Sequence, residues 1–205
     1  VDGNVLAHSY KNSNYRDIIN GATVNTCDGN SIAMIAGHIH KRKFSTYNGP
    51  DIFANYVKQG GYKQYFIGNT EENHVQLRRR FRKLNFNIDQ FRFEALPFRD
   101  VDDFDYKSIA EHINEFSPDI IWVSLGAPKQ EYFIGKLFPY IDKGILFAIG
   151  AAFNLYLDDD KYSRAPFWVR KIHLEWVYRL IKEPVRVGRR AWNYAILIPR
   201  MIIEE

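Results

Sequence analysis

The stretch DIIWVSLGAPKQEYFIGKL, residues 119–137, joins a continuous apolar run to an amphipathic run through a turn that contains glycine and proline. A run as short and apolar as Asp119 to Leu125 is typical of a strand that is buried on both faces of a sheet. The run that follows, Lys129 to Leu137, is predicted to be a helix. A buried strand that leads directly into a helix is the repeating unit of a parallel α/β sheet.

The same alternation extends over most of the chain, with turns such as Asp28-Gly29 and Gly60-Gly61 between the runs. The predicted strands are Ala22 to Thr26, Gln64 to Ile67, Phe91 to Ala95, Asp119 to Leu125 and Ile145 to Ile149. The predicted helices are Val5 to Asn20, Ser31 to His40, Asp51 to Gln59, Glu71 to Leu84, Tyr106 to Phe116 and Lys129 to Leu137. We therefore predict the α/β class, with a parallel sheet flanked by helices.

The C-terminal part of the chain has a different pattern, which is basic and typical of helices alone. Apolar residues recur there at helical spacing, at Leu174, Val177, Tyr178 and Ile181. Residues 161–205 contain ten Lys or Arg and four Glu, a net charge of +6, whereas the first 160 residues carry a net charge of −2. We expect two domains, an α/β domain over residues 1–160 and a basic amphipathic helical appendage over residues 161–205.

A near-neutral body with a basic tail indicates a localised anionic partner, which could be lipid headgroups, nucleic acid or a phosphorylated substrate. The basic side chains of the tail alternate with apolar ones, as in helices that lie on a membrane surface, and they form no exposed aromatic platform for nucleic acid. The apolar run 191–203 is shorter than the ~20 residues that a membrane-spanning helix needs. We therefore expect contact with a membrane surface and no nucleic-acid partner.

The cysteine content and the N-terminal sequence bear on the compartment. The single cysteine, Cys27, cannot form a disulfide within the chain, and the N-terminus has no cationic, apolar signal segment. Both features are typical of a protein in the reducing cytoplasm, which is where we expect this chain.

The turn within residues 119–137 is a candidate binding site, because ligands of open parallel sheets bind beyond the carboxyl ends of the strands. Gly126 would let a ligand approach the backbone, and Pro128 suits a first helical turn. The amides and the positive dipole end of the helix would suit a diphosphate, with Lys129 or Gln130 as an added donor. An ordinary strand-to-helix turn explains the same residues.

Asp28 follows the predicted strand Ala22 to Thr26 and precedes a predicted helix. Its carboxylate could cap that helix or form an Asp-Gly turn, which are common roles for such a residue. It could instead project into a cleft as a general base, because an attacking hydroxyl group must lose its proton. Spacing alone leaves these roles open.

Three acidic stretches have the Asp-x-Asp form that can hold a divalent cation on a diphosphate, namely Asp100 to Asp102, Asp103 to Asp105 and Asp158 to Asp160. Solvated carboxylates in loops or at helix starts are the simpler explanation. The six histidines show no metal-ligand spacing, and the chain has no Gly-x-Gly-x-x-Gly fingerprint and no P-loop. We predict no metal site and no cofactor, and dinucleotide-dependent and NTP-hydrolysing enzymes are disfavoured.

An ordered set of short motifs extends along the chain. They are Asn4, Cys27-Asp28-Gly29, Asn48-Gly49-Pro50-Asp51, Ser124 to Glu131, Gly150 to Asn154, Arg164 to Trp168, Leu174 to Leu180, Glu183-Pro184 and Arg189-Arg190. In order and spacing, this set resembles the WecG/TagA/CpsF family of glycosyltransferases. Each motif alone is modest, and their order makes the resemblance specific.

The resemblance implies a Rossmann-like enzyme, a hexosyltransferase that moves a sugar from a UDP-sugar to an undecaprenyl-diphosphate-linked glycan with inversion. The sugar is commonly of the N-acetylmannosamine type, and the product would belong to cell-wall or surface polysaccharide synthesis. The enzyme would act without a metal, peripherally at the inner face of the cell membrane. A homo-oligomer is compatible with this interpretation.

The resemblance also implies roles for particular residues. Asp28 matches the family's proposed catalytic base, and Asn4 and Gln130 match positions thought to contact the donor sugar. The appendage would help to close the active site and to approach the membrane. The candidate substrate-binding residues are then Asn4, Gly126, Pro128, Lys129, Gln130 and Glu131, with Arg164, Arg179 and Arg186 of the appendage.

The sequence departs from the family pattern at several positions. Asp2 stands where the family often has Thr, and Asn154 stands where an Asp is common, so the resemblance does not fix the donor sugar. A second hypothesis is a non-catalytic accessory subunit that binds and activates a partner transferase. The presence of Asp28 argues against this alternative.

Overall fold

The computed structural model describes residues 1–157, 166, 169, 175–182, 184–185 and 188. The chain forms two compact units. Unit 1 comprises Val1–Asn48 and Ser163–Glu205, and unit 2 is the continuous segment Gly49–Tyr162. The expected domain boundary after residue 160 lies outside the described residues.

Unit 1 is helical in its described part. Its helices are α1 Gly3–Lys11, α2 Ser13–Asn20, α3 Asn30–Ile39 and a C-terminal helix, Glu175–Lys182. The sequence pattern predicts a single helix over Val5 to Asn20, but the structure has two helices, which are separated at Asn12. This residue is extended, and its Oδ1 accepts a hydrogen bond from Tyr15 N at 3.0 Å, so it caps α2. A cap of this kind interrupts a helix without interrupting its apolar periodicity.

The predicted strand Ala22 to Thr26 is wrong. The segment 21–25 is exposed to solvent, and Val24 is 74% exposed. Its neighbour Cys27 forms an isolated parallel bridge with Thr46, where Tyr47 N donates to Cys27 O at 3.0 Å. A short apolar run becomes a strand only where another strand pairs with it and a core buries one of its faces.

Unit 2 alternates strands and helices in the order that the sequence predicts. Its strands are β1 Gln64–Gly68, β2 Phe91–Glu94, β3 Ile120–Ser124 and β4 Ile145–Ala148. Its α-helices are α4 Gly49–Val57, α5 Glu71–Lys83, α6 Tyr106–Phe116 and α7 Lys129–Leu137, and a 3-10 helix covers Gly150–Tyr156. The predicted bounds of α6 and α7 are confirmed to the residue.

The four strands form one parallel sheet in the order β2-β1-β3-β4. Every residue of the central strands β1 and β3 is buried, whereas the edge strands β2 and β4 are partly exposed. Continuous burial of a parallel strand requires cover on both faces of the sheet. The register places Gly68 opposite Ser124 at the carboxyl edge.

Helices cover both faces of the sheet. On one face, Phe66 and Trp122 pack against α4, α5 and the 3-10 helix, and Trp122 Nε1 donates to the buried Gln64 Oε1 at 2.8 Å. On the other face, Ile67 and Ile121 pack against α6 and α7. The predicted fold class, a Rossmann-like parallel sheet flanked by helices, is confirmed. No helix in the described part of the chain combines the length and apolarity needed to span a membrane.

Candidate active site

The strand order creates a crevice at the carboxyl edge of the sheet in unit 2. From β1 the chain crosses to β2 on one side, and from β2 it returns to β3 on the other side of β1. The helices that follow β1 and β3, α5 and α7, pack on opposite faces, so the two loops diverge. Open α/β sheets bind ligands at such a point.

Glycines line this crevice for two different reasons. Gly68 ends β1 with φ +91°, and a Cβ there would lie 2.8 Å from Ser124 O, so the two strand ends approach too closely for a side chain. Gly126 has φ +77°, but a Cβ there would meet no atom of the described residues within 4 Å. Among the described residues, the space beside the Gly126 backbone is therefore open, and ligand binding at this turn stays a prediction.

Gln130 joins the loop after β3 to the loop after β4. Its side chain is 5% exposed, and its Oε1 accepts hydrogen bonds from Gly126 N at 3.2 Å and from Gly150 N at 2.9 Å. Its Nε2 donates to Glu131 Oε1 at 2.8 Å. Ser124 Oγ adds a second link by donating to Gly150 O at 2.6 Å. One buried amide thus sets the relative position of the two loops.

At the start of α7, which is the segment considered for diphosphate binding, two backbone amides already donate hydrogen bonds within the protein. Helix α7 begins at Lys129, directly after Pro128. Gly126 N is bonded to the Gln130 side chain, and Gln130 N donates to Gly126 O at 3.0 Å. These two amides stabilise the turn in this structure. Diphosphate binding by this segment stays a prediction.

Lys129 contacts the loop between β2 and α6. Its Nζ donates to Arg99 O, and it lies 5.1 Å from the ring centroid of Phe98 and 5.4 Å from that of Phe104. The ammonium group is therefore held by a carbonyl oxygen and two aromatic faces. The structure places it in this loop, and its proposed contact with a substrate stays a prediction.

Two of the acidic side chains before α6 have structural partners. Asp102 pairs with Lys136 Nζ at 2.5 Å, and Asp105 caps α6 by accepting from Ser108 N at 3.1 Å. Within the described residues, no three His, Cys, Asp or Glu side chains are grouped as a metal site. The stretch Asp158 to Asp160 lies outside those residues. Metal independence stays a prediction.

In unit 1, Asp28 lies beside the start of α1. Its backbone N donates to Val1 O at 2.9 Å, and Asn4 lies in the first turn of α1, so these two predicted residues occupy one part of the unit. Asp28 is exposed, and Gly29 takes the N-cap position of α3. Asp2, which departs from the family pattern, caps α1 by accepting from Val5 N at 2.9 Å.

The structure does not describe the side chains of the three arginines that are predicted as binding residues in the appendage. Arg179 lies in the helix Glu175–Lys182, and Arg164 and Arg186 lie outside the described residues. Their proposed roles stay predictions.

Sequence reasoning missed His74, which is fully buried below the carboxyl end of the sheet. Its ring lies 5.6 Å from the centroid of Phe93 and 6.1 Å from that of Phe153. Burial lowers the pKa of His74 from 6.5 to about 4, so the imidazole is neutral at pH 7. Its spacing with Leu77 and Phe81 along the apolar face of α5 was the available signal.

Comparison with known proteins shows similarity along the whole chain. A family model described as the glycosyl transferase WecG/TagA/CpsF family matches residues 1–205. Relatives from Bacillus spizizenii strain W23 and Bacillus subtilis strain 168 are both named N-acetylglucosaminyldiphosphoundecaprenol N-acetyl-beta-D-mannosaminyltransferase. The first is 26% identical over 195 residues, which are 94% of this chain and 71% of the relative. The second is 24% identical over 200 residues, which are 98% of this chain and 75% of the relative.

A third relative with the same name, from Staphylococcus aureus strain MW2, is 31% identical over 87 residues. That match covers 42% of this chain and 34% of the relative.

Proposed function

This chain belongs to the WecG/TagA/CpsF family of glycosyltransferases, and we propose that it transfers N-acetylmannosamine from a UDP-sugar to undecaprenyl-diphosphate-linked N-acetylglucosamine. The observation that carries this proposal is the match of the family over residues 1–205, together with the shared name of the relatives that align along nearly the whole chain. The product would be an intermediate of cell-wall polysaccharide synthesis.

The crevice in unit 2 supports a nucleotide donor. It lies at the carboxyl ends of β1 and β3, where the strand order reverses. Parallel α/β sheets bind nucleotides at this position, because backbone amides and helix N-termini there complement phosphate charge. Gly126 has no side chain to occupy the space beside this turn, and Gln130 holds the two neighbouring loops in place.

Asp28 supplies the base in the proposed reaction. The acceptor hydroxyl attacks the anomeric carbon of the donor, and its proton passes to the Asp28 carboxylate. The bond between the anomeric carbon and the diphosphate oxygen breaks as the new glycosidic bond forms, and UDP leaves with both bonding electrons. A single displacement of this kind inverts the anomeric configuration. Exposure of Asp28 to solvent is consistent with access by a large acceptor.

The proposed acceptor indicates where in the cell the enzyme works. An undecaprenyl chain keeps its diphosphate and sugar at the bilayer surface, so the enzyme must work there. We expect a peripheral protein at the inner face of the cell membrane, attached through the basic C-terminal appendage.

The test is an assay of UDP release by the purified chain with a lipid-diphosphate-GlcNAc acceptor. UDP-ManNAc should give UDP release that depends on the acceptor, and UDP-GlcNAc, which differs from it at C2 of the sugar, is the matched control donor. No release with any UDP-sugar would contradict the proposal. Release that appears only after a partner transferase is added would favour the accessory-subunit alternative.

A further inference from the structure

The charges of the chain are distributed unequally between its two units. Unit 1 holds 14 Lys or Arg against 7 Asp or Glu, a net charge of +7, whereas unit 2 holds 14 against 17, a net charge of −3. The appendage contributes much of the excess, but Val1–Asn48 also has a basic segment of its own. That segment is the turn Lys41-Arg42-Lys43, which follows α3.

Helix α3 is apolar along most of its length, yet little of it is buried. Among its side chains that the structure describes, Ala33 is buried, Ile32, Ile35 and Ile39 are half-buried, and Met34 is 75% exposed. A helix with apolar residues on several faces is normally enclosed by a core. A single exposed apolar side chain is common, but Met34 lies among half-buried isoleucines on a helix that leads into a basic turn, and this combination suits contact with another apolar phase.

The basic turn lies at the C-terminal end of this helix. Lys41 adopts φ +49°, which ends the helix, and Arg42 N then donates to Gly37 O at 3.2 Å. Lys41, Arg42 and Lys43 are all exposed, and the guanidinium of Arg42 lies 4.5 Å from the ring centroid of Phe44. Among the ion pairs of the described residues, none involves these three cations.

We propose that α3 and the turn Lys41–Lys43 form a membrane-docking surface whose partner is the anionic headgroup layer of a lipid bilayer. This inference rests on the proposed function, since a lipid-linked acceptor places the reaction at a membrane. An exposed methionine among half-buried isoleucines, followed by adjacent cations, matches a bilayer surface, which offers hydrocarbon below a layer of phosphate. A second copy of this chain fits less well, because two units of charge +7 repel each other.

The position of Asp28 agrees with this surface. Asp28 precedes α3 by two residues, and the basic turn follows α3 by two residues. A ten-residue helix spans about 15 Å. Docking through α3 would therefore hold Asp28 at a distance from the phosphate layer of no more than about the length of this helix, ~15 Å. The sugar of a lipid-diphosphate acceptor lies at that layer.

A second basic segment serves as a matched control. Arg79, Arg82 and Lys83 of α5 are also exposed, but they belong to the acidic unit 2. Their neighbour Arg78 pairs with Glu71 at 2.9 Å. Arg82 and Lys83 lie in the last turn of α5, where the helix dipole favours basic residues, so this segment needs no external partner.

The experiment measures binding of the full chain to vesicles of phosphatidylcholine with phosphatidylglycerol at low salt. Each Lys or Arg near an anionic leaflet strengthens attachment about fivefold. The variant K41Q/R42Q/K43Q should therefore bind on the order of 100-fold more weakly, and Met34→Glu should also weaken binding. The control R79Q/R82Q/K83Q, with the same change in net charge, should bind like the wild type. An equal loss in both triple variants, or no loss in K41Q/R42Q/K43Q, would overturn the proposal.

Two further measurements separate this proposal from others. Transfer to a short-chain, water-soluble acceptor should be unchanged in K41Q/R42Q/K43Q, while transfer to an acceptor in vesicles falls. If the chain has no transferase activity at all, vesicle binding still tests the surface independently. A change in the oligomeric state of Met34→Glu in lipid-free solution would show that a second copy covers α3, and this result would contradict membrane docking.

Discussion

Asp28 is the residue on which the proposed chemistry depends. The structure holds its backbone to Val1 O at 2.9 Å, next to the turn of α1 that carries Asn4. We expect Asp28→Asn to lower turnover by ~10²- to 10⁴-fold while donor binding and folding persist, because the amide keeps the shape of the carboxylate but cannot accept a proton. Steady-state kinetics and donor-binding calorimetry measure the two effects separately.

Asp17→Asn is the matched control for this variant, because Asp17 is an exposed aspartate on α2 of the same unit. It should turn over like the wild type. Near-normal turnover of Asp28→Asn would exclude Asp28 as the base.

Gln130 is expected to contribute to stability as well as to the site, because its side chain links two loops. Gln130→Ala removes the acceptor of two backbone amides, those of Gly126 and Gly150. A buried donor without its partner costs ~1–3 kcal/mol, so we expect the free energy of unfolding to fall by about 2 kcal/mol and turnover to fall with it. Urea denaturation measures the change. The exposed Gln59→Ala is the control, and equal stability of the two variants would contradict the role of Gln130.

The family resemblance predicts that Gln130 is a site residue, but the sequence does not reveal its hydrogen bonds. Its partner Gly150 is 20 residues away, at the end of a different strand. Apolar periodicity predicts β3, α7 and β4, but it carries no information on how the loops between them meet. The same limit explains why Lys129, predicted as a phosphate donor, is found against Arg99 O and two aromatic rings.

At the scale of secondary-structure elements, α5 contains the clearest pH-dependent group. The pKa of His74 is lowered to about 4, chiefly by burial, with Glu71 raising it and Arg78 lowering it further. The unfolded chain binds a proton near pH 6.5, and the folded chain does so only near pH 4. Stability is therefore fully present above pH 6.5 and decreases as the pH falls toward 4.

The expected loss from His74 between pH 7 and pH 4 is about 3 kcal/mol. Many carboxylates also titrate in this range, so the diagnostic quantity is the difference between wild type and His74→Gln, which has no titrating group there. Urea denaturation at both pH values should show a smaller loss for the variant. Equal losses in the two proteins would show that His74 is not buried in its neutral form.

The strands and helices of unit 2 were the easiest elements to predict, at the edges of the sheet as well as at its centre. β1 and β3 consist of buried residues alone, and the predicted bounds of α6 and α7 agree with the structure. The failures lie in unit 1, where the predicted strand Ala22 to Thr26 does not form and Asn12 divides a predicted helix. Both depend on tertiary neighbours or on one side-chain cap, which a pattern of apolar residues does not record.

At the scale of the whole molecule, catalysis is expected to need no divalent cation. Of the carboxylates before α6, Asp102 pairs with Lys136 and Asp105 caps the helix. Turnover should therefore be unchanged by EDTA, because basic side chains and helix amides would stabilise the leaving diphosphate. Inhibition by EDTA that magnesium or manganese reverses would instead assign a metal to the Asp-x-Asp stretches. The variant Asp102→Asn should show the same turnover as the wild type.

The central claim, inverting transfer of one sugar to a lipid-linked acceptor, is tested most directly by the structure of the product. Mass spectrometry and NMR of the lipid recovered after reaction with UDP-ManNAc should show one added N-acetylhexosamine on the lipid-diphosphate-GlcNAc, joined through a β linkage. Release of UDP without any gain of sugar by the lipid would identify a hydrolase, and an α linkage would exclude a single displacement with Asp28 as base. Either result would contradict the account.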